Sequence, residues 1–223
     1  VDTQFINVLE ENTSTASWLN KQYGVTVSHD PAIFTASDFI FLGIKPQSLP
    51  EIKWSADHDF ILLSILAGIQ IKTLRKKFPS AKIVRAMPNL GQFTNRGMTG
   101  VCFDPQSSFS DSEKQQVTKI FESGGTMLKV KDETFMDKIT AISGSGPAYF
   151  FLFVEQLMEA AQDLGFSESA AQALAHETFF GAAAILKNHP SDTASSWRER
   201  VTSKGGTTQA ALKVFENSDF RQI

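Results

Sequence analysis

The stretch that decides the fold reads SDFIFLGIKPQ, from Ser37 to Gln47. Its centre, Phe39 to Ile44, consists of large apolar residues except for Gly43. Such a run is typical of a strand that is buried on both faces in a parallel sheet. The run stops at Lys45 and Pro46, so we expect a loop to begin at the carboxyl end of this strand.

Two later stretches repeat this pattern. DFILLSILAG is apolar from Phe60 to Leu66, and AKIVRAMPN is a strand-like run that ends abruptly at Pro88. Between them, IKTLRKKF has the spacing of a short amphipathic helix. Strand, helix and strand in this order predict an α/β fold with a parallel sheet.

The rest of the first 131 residues adds shorter elements of both kinds. Strand-like runs are Phe5–Leu9, Val25–Val27, Met98–Phe103 and Met127–Val130, and helical ones are Ser14–Tyr23 and Asp111–Glu122. Gly24 can close the first of these helices. Ser110 is expected to cap the second, with Glu113 completing a capping box.

After Lys131 the strand signals vanish. Helices are predicted over Asp132–Ile142, Pro147–Leu164, Ser167–Asn188, Ser191–Val201 and Thr207–Glu216. We therefore divide the chain into an α/β domain of residues 1–131 and an all-helical domain of residues 132–223.

The helix after Pro147 predicts a subunit contact. Its sequence, AYFFLFVEQLMEAA, is apolar on nearly every face over the first two turns. A helix of this kind must be covered all round. The other helices of so small a domain cannot easily cover it, so we expect a second subunit to do so in part. The alternative is that the α/β domain covers it.

Composition and charge narrow the function classes. The chain has 223 residues, of which 42% are hydrophobic and 20% charged, as in an ordinary globular protein. The net charge of -3 gives no electrostatic case for nucleic acid or an anionic membrane. A lone cysteine, Cys102, excludes an intrachain disulfide, and no apolar run is long enough to span a bilayer. We expect a cytoplasmic protein with neither a nucleic-acid nor a membrane partner.

The sequence contains no motif for metal binding or for a catalytic nucleophile. The four histidines, His29, His58, His176 and His189, are widely spaced, and HETFF lacks the second histidine of a zinc-binding helix. No serine stands in a Gly-x-Ser-x-Gly elbow. We therefore predict no metal site, and we expect Cys102 to be a core residue.

Two loops after predicted strands are candidates for ligand binding, because ligands of open α/β sheets bind outside the carboxyl ends of the strands. In GIKPQSL, Lys45 can meet a phosphate and Pro46 fixes the turn. In RAMPNLGQ, Met87 and Pro88 can form an apolar wall for a flat ring, and Asn89 can hydrogen-bond it. Ordinary connections between elements remain the alternative for both loops.

Two corners rich in glycine and hydroxyl groups open helices of the second domain. They read SGSGPAY, from Ser143 to Tyr149, and TSKGGTT, from Thr202 to Thr208. Exposed backbone N–H groups at a helix start favour a carboxylate or phosphate, although helix capping alone is the alternative. Neither corner supplies a strong acid or base, so any chemistry would come from a bound cofactor.

The motifs LGIKPQSL, IVRAMPNLGQFTNRGMTG, DKITAISGSGPAYFFLFVEQLMEAAQDLGF and RVTSKGGTTQAAL, in this order, resemble pyrroline-5-carboxylate reductase. The resemblance runs from about Asn7 to Phe220. It implies reduction of 1-pyrroline-5-carboxylate to L-proline, the last step of proline biosynthesis, with hydride from NADPH or NADH. It also implies a Rossmann-type domain followed by a helical dimerisation domain, and homodimers that often assemble into rings.

The resemblance also implies roles for individual residues. The cofactor would be contacted by Lys45, Pro46, Met87, Pro88 and Asn89. The substrate would be held by Ser203, Gly206, Thr207 and Thr208. Thr208 is the expected hydrogen-bond partner of the imine nitrogen and the one residue to which we assign a catalytic role.

The chain departs from the family pattern in two ways. Lys204 stands where the family usually has proline. The first strand and the Gly-x-Gly-x-x-Gly turn that holds the pyrophosphate are absent from these residues, so we expect a fragment of a reductase, the alternative being a protein with impaired cofactor binding. Glu10 and Glu11 lie where the ribose would be read and would repel a 2′-phosphate, which leaves the choice between NADPH and NADH open.

Two other functions remain as alternatives. The missing glycine turn is compatible with a non-catalytic dimerising or ligand-binding protein. A β-hydroxyacid dehydrogenase shares the plan of an α/β domain followed by helices, but it needs a catalytic lysine in the helical domain. None of the lysines there, Lys138, Lys187, Lys204 and Lys213, lies in a matching run, so this alternative ranks low.

Overall fold

The computed structural model describes residues 2–54 and 58–218. It has two compact units, Val1–Tyr149 and Phe150–Ile223. Phe220, to which the family resemblance extends, lies outside the described residues, as do Val1 and the end of the predicted helical domain.

The first unit contains the strands and the shorter helices. The strands are β1 (Asn7–Leu9), β2 (Thr26–Ser28), β3 (Phe39–Leu42), β4 (Phe60–Ser64), β5 (Ala81–Met87), β6 (Gly97–Phe103) and β7 (Gly125–Val130). The α-helices are α1 (Thr13–Tyr23), α2 (Ile71–Lys77), α3 (Asp111–Glu122) and α4 (Phe135–Ile139). Short 3₁₀ helices cover Thr3–Phe5, Pro31–Phe34, Pro46–Glu51 and Leu90–Thr94, and a π-helix covers Thr140–Gly144.

Local signals explain where several elements begin and end. Gly24, with φ 68°, closes α1 as predicted, and Ser110 and Glu113 form the predicted capping box of α3. The predicted strand over Phe5–Leu9 is shorter, because Thr3–Phe5 winds into a 3₁₀ helix under the Asp2 cap. The predicted helix over Asp132–Ile142 is divided into α4 and the π-helix.

The sheet is largely parallel. Its order is β3-β4-β5-β6-β7, and the pairs β3/β4, β4/β5 and β6/β7 are parallel. The pair β5/β6 is antiparallel, because the loop between these strands is too short for a crossover and turns back at Asn95 with φ 56°. Strands β1 and β2 form a separate parallel pair.

The core lies on both faces of the sheet. Leu62 and Ile83 are fully buried on one face, beneath Leu74 of α2. Their neighbours Leu63 and Val84 are equally buried on the other face, in a separate core cluster. Because neither face of these strands meets water, their sequences are continuously apolar rather than alternating. Cys102 is also buried, which confirms the prediction that it is a core residue.

Helix α4 packs directly on strand β6. A Cβ added at Gly100 would lie 2.6 Å from Cδ1 of Ile139, so only glycine permits this approach. Met136 of the same helix is fully buried in the core. These contacts fix α4, and with it the π-helix that follows, against the carboxyl half of the sheet.

The second unit is helical. It contains most of α5 (Gly146–Asp163), together with α6 (Glu168–Asn188), α7 (Ala194–Arg200) and α8 (Thr207–Asn217). Helix α7 begins later than predicted because Thr193 caps it, its hydroxyl accepting from Ser196 N. None of the helices that the structure describes is long and apolar enough to cross a membrane.

The apolar face of α5 is incompletely covered within this unit. Phe150 contacts the ring of Phe179 on α6, with centroids 5.7 Å apart. Phe150, Phe151 and Leu152 are nevertheless 57%, 58% and 58% exposed. The described helices of the unit therefore leave an aromatic surface that would gain from further burial.

A buried ion pair joins α2 to the end of β6. Asp104 is 2% exposed and accepts hydrogen bonds from Arg75 Nη2 at 2.5 Å, Arg75 Nε at 3.1 Å and Gln106 N at 2.9 Å. Burial alone would raise the pKa of this carboxyl group. The hydrogen bonds and charge of Arg75, with the Gln106 N–H, outweigh burial and hold the pKa of Asp104 below its ordinary value.

We predict that Asp104→Asn lowers the free energy of unfolding by about 1–3 kcal/mol at pH 7. Since the folded-state pKa is depressed, this contribution is complete above the ordinary carboxyl pKa of 3.8 and is lost as the pH falls through the lower folded-state value. Urea denaturation at pH 7, 5 and 3 measures it. The control Asp111→Asn removes an exposed pair with Lys114 and should change stability little. Equal stability of Asp104→Asn and wild type at pH 7 would contradict the prediction.

Candidate functional site

The predicted cofactor loops follow two strands of the parallel part of the sheet. Strands β3, β4 and β5 run in one direction, so the loops after β3 and β5 leave the sheet at the same edge. Lys45 caps the 3₁₀ helix that begins at Pro46, and its backbone carbonyl accepts from Ser48 N at 3.0 Å. The Lys45 side chain is exposed and has no partner among the described residues, which leaves its charge available for an anion.

Asn89 is a hydrogen-bonding hub after β5. Its Oδ1 accepts from Gly91 N and Met98 N, both at 3.1 Å. Its Nδ2 donates to the carbonyl oxygen of Ser143 at 3.2 Å and to Ser143 Oγ at 3.1 Å. Protein groups thus use the amide oxygen twice and contact the amide nitrogen from one side, at Ser143. The amide therefore shapes the loop, and its assignment to the cofactor ring remains a prediction.

The corner SGSGPAY meets the same strand end. The backbone is a π-helix over Thr140–Gly144, closed by a bond of 2.8 Å from Ser145 N to the carbonyl of Thr140. A Cβ at Gly144 would lie 2.7 Å from Cε of Met87, so the glycine lets the corner pack directly on β5. π-Helical turns of this kind recur at functional sites. The structure therefore brings together two of the segments that sequence analysis singled out.

The second unit carries the corner TSKGGTT. Gly205 has φ 75°, a left-handed conformation that suits glycine, and Gly206 is the N-cap of α8 without a side-chain cap. Gly206 N donates to the carbonyl of Ser203 at 3.1 Å. Among the residues described, the N–H groups and hydroxyls of Thr207 and Thr208 have no protein partner. A helix start with open donors is suited to a carboxylate.

A cavity of about 670 Å³ borders this corner within the second unit. Its lining includes Arg198, Glu199, Gly205, Gly206, Gln209 and Lys213. Gln209 was not among the predicted site residues, and its Oε1 accepts from Gly205 N at 2.7 Å. The available signal was its position four residues after that glycine, on the first turn of the helix that the corner opens.

The predicted site residues therefore fall into two groups. Lys45, Pro46, Met87, Pro88 and Asn89 lie at one edge of the sheet in the first unit. Ser203, Gly206, Thr207 and Thr208 lie at the start of α8 in the second unit. Their assignment to cofactor and substrate remains a prediction.

A largely parallel sheet with ligand loops at its carboxyl edge, followed by a helical unit, defines a Rossmann-type protein with a helical second domain. Residues 133–223 match the family model described as pyrroline-5-carboxylate reductase dimerisation. The chain is 38% identical over 191 residues to the pyrroline-5-carboxylate reductase of Haemophilus influenzae, covering 83% of this chain and 70% of that protein. The chain belongs to the pyrroline-5-carboxylate reductase family.

Solved structures agree with the assignment. A pyrroline-5-carboxylate reductase from Coxiella burnetii superposes with a TM-score of 0.84 and 28% identity over 99% of this chain and 83% of that one. The pyrroline carboxylate reductase of Plasmodium falciparum, solved with NADP bound, gives a TM-score of 0.78 and 26% identity over 97% and 79%. The predicted family and fold class are confirmed, and the two alternative functions are not favoured.

We predict that Asn89→Ala lowers the free energy of unfolding by about 2–4 kcal/mol, because it leaves several partly buried groups without partners. Ser143→Ala should cost less than about 1 kcal/mol, since Nδ2 keeps its bond to the Ser143 carbonyl. Urea denaturation followed by tryptophan fluorescence measures both.

The matched control is Asn95→Gly in the same loop, where φ 56° suits glycine. It should stay within about 0.5 kcal/mol of wild type. If the Asn89→Ala protein were as stable as this control, the hydrogen bonds of Asn89 would contribute nothing to the free energy of unfolding.

Proposed function

We propose that this chain reduces 1-pyrroline-5-carboxylate to L-proline with hydride from NADPH or NADH, the last step of proline biosynthesis. The observation that carries the proposal is the open amino-terminal end of α8, with the donors of Thr207 and Thr208 unpaired in the residues described, in a chain of the pyrroline-5-carboxylate reductase family. The substrate is a cyclic imine with one carboxylate, and this helix start offers both kinds of partner that it needs.

The residues after β3 and β5 fit a nicotinamide cofactor in part. The free ammonium group of Lys45 can meet a phosphate, with Pro46 fixing its loop. Met87 and Pro88 are half-buried and offer apolar surface to a flat ring, while Asn89 shapes their loop. When bound, the reduced nicotinamide supplies the hydride. The Rossmann pyrophosphate turn is absent from these residues, so we assign no residue to the pyrophosphate.

The start of α8 would hold the substrate. The carboxylate would accept from Ser203 Oγ and from the backbone N–H groups of Thr207 and Thr208, with the positive end of the helix adding attraction. Gly206 keeps this approach open, since a Cβ there would lie 2.5 Å from Ser203 Oγ. The iminium N–H would donate to Thr208 Oγ1.

This arrangement suffices without a strong acid or base. The carbon atom of a protonated imine is already electrophilic. Addition of hydride forms the C–H bond, and the π electrons of the C=N bond pass to the nitrogen, which keeps its proton. Thr208 orients the ring and stabilises the N–H through the step. Positioning therefore carries most of the catalytic task.

The family's dimerisation model matches residues 133–223, which indicates that the chain forms oligomers. We propose a homodimer, with rings of dimers as a further assembly, in which the exposed aromatic face of α5 lies in the interface. We also propose that the dimerisation and substrate domain begins at residue 132. The cytoplasmic location and the lack of nucleic-acid and membrane partners stay predictions.

We predict that the full-length gene product oxidises NADPH or NADH only when 1-pyrroline-5-carboxylate is present. Thr208→Ala should lower kcat/KM about tenfold to a thousandfold, the range of one hydrogen bond to a charged group. Thr208→Ser keeps the hydroxyl and should retain most of the activity. Wild-type protein inactive with both cofactors would refute the function, and an unchanged Thr208→Ala variant would remove Thr208 from the site.

We also predict that Phe151→Glu, on the exposed face of α5, shifts the protein from dimer to monomer in light scattering coupled to gel filtration, because it buries a charge in the interface. Phe93→Glu is the control, since this side chain is 89% exposed on the 3₁₀ helix Leu90–Thr94 of the first unit. A Phe151→Glu variant that remains dimeric would place the interface elsewhere.

A further inference from the structure

Residue 204, in the corner before α8, is lysine, so no proline ring fixes its backbone dihedral angle φ. Ser203 to Gly206 form a β-turn, because Gly206 N donates to the Ser203 carbonyl at 3.1 Å, and a proline at the second position of such a turn, here Lys204, would fix φ. The residue that follows, Gly205, has φ 75° and is the most permissive residue type. A Lys-Gly-Gly sequence therefore has more backbone freedom to lose on ordering than Pro-Gly-Gly.

Gln209 supplies a restraint from the other side of the corner. Its side chain extends from the first turn of α8 back over the loop, and its Oε1 accepts from Gly205 N at 2.7 Å. The next N–H, that of Gly206, donates to the carbonyl of Ser203 at 3.1 Å. Both glycine N–H groups are thus held, while those of Thr207 and Thr208 stay open among the described residues.

We propose that Gln209 is a positioning residue that clamps the TSKGGTT corner and supplies a restraint that Lys204, unlike a proline, does not. The clamp keeps Ser203 and the first turn of α8 in the geometry that receives the substrate carboxylate. This inference rests on the proposed function, because it assigns a purpose to the same corner.

The amide is suited to this position because it is neutral. Gln209 lines the cavity beside the corner together with Arg198 and Lys213, and the acids Glu199 and Glu216 line the same cavity. A glutamate at position 209 would offer the same acceptor to Gly205 but would add a negative charge beside the proposed carboxylate. Substitution of Gln209 by alanine and by glutamate therefore separates the effect of the hydrogen bond to Gly205 from the effect of an added negative charge.

The experiment compares single and double substitutions at positions 209 and 204 in the full-length enzyme by steady-state kinetics. Gln209→Ala should raise the KM for 1-pyrroline-5-carboxylate about fivefold to twentyfold, with kcat within about twofold and the KM for the nicotinamide unchanged. Gln209→Glu should raise the substrate KM further, although it keeps the acceptor. Lys204→Pro added to Gln209→Ala should restore the substrate KM to near the wild-type value. The control is Gln116→Ala, an exposed glutamine of α3 with no side-chain partner among the described residues, which should change neither the KM values nor kcat.

A second measurement is independent of turnover. Amide hydrogen exchange across residues 202–206 should be faster in Gln209→Ala than in wild type and slower again in the double variant. Unchanged exchange in Gln209→Ala, an unchanged substrate KM, or a double variant that is not rescued would each overturn the clamp. If the wild-type enzyme does not turn over the imine, the proposed function fails, and the exchange result alone then decides whether the clamp exists.

Discussion

The side-chain amide of Asn89 joins three segments that the chain supplies at distant positions. It holds the end of β5, the start of β6 at Met98 and the π-helix at Ser143. The turn between β5 and β6 makes their pairing antiparallel, and the π-helix precedes α5. This amide acts together with the packing of Ile139 on Gly100 and of Met87 on Gly144 to hold the π-helix at the sheet, and its loss would leave Met98 N and the Ser143 carbonyl without their partner.

The two corners rich in glycine look alike in sequence and differ in physical purpose. In SGSGPAY, Gly144 is required by packing, since its missing Cβ makes room for Met87, and the Ser143 hydroxyl is used by Asn89. In TSKGGTT, Gly205 is required by its backbone conformation, and the threonines that follow keep their donors open in the described part of the chain. The second corner thus has open donors at Thr207 and Thr208 among the described residues, and its role as an anion site remains a prediction.

Much of the fold could be predicted because it depends on local pattern. Apolar runs such as Phe60–Ser64 identify strands buried on both faces, and the Ser110 capping box marks the start of α3. The antiparallel pairing of β5 and β6 was not predicted, because it depends on the turn at Asn95, whose left-handed conformation has no apolar signature. The π-helix was missed for a similar reason. It is a change in hydrogen-bond register that leaves the helical periodicity of the sequence nearly intact.

At the candidate site, too, the sequence indicates which hydrogen bonds a side chain can make but not which partners the fold places beside it. The substrate role of Thr207 and Thr208 remains a prediction from composition and family resemblance, because hydroxyl chemistry suits a carboxylate wherever the helix starts. Asn89 was assigned to the cofactor on the same reasoning, and the structure shows that it also binds Met98 and Ser143, which the sequence pattern did not indicate. Gln209 shows the converse, since an unremarkable helix residue acquires its importance from a backbone N–H only four positions away. Residue type predicts which bonds a side chain can make, and tertiary structure decides which of them remain for a ligand.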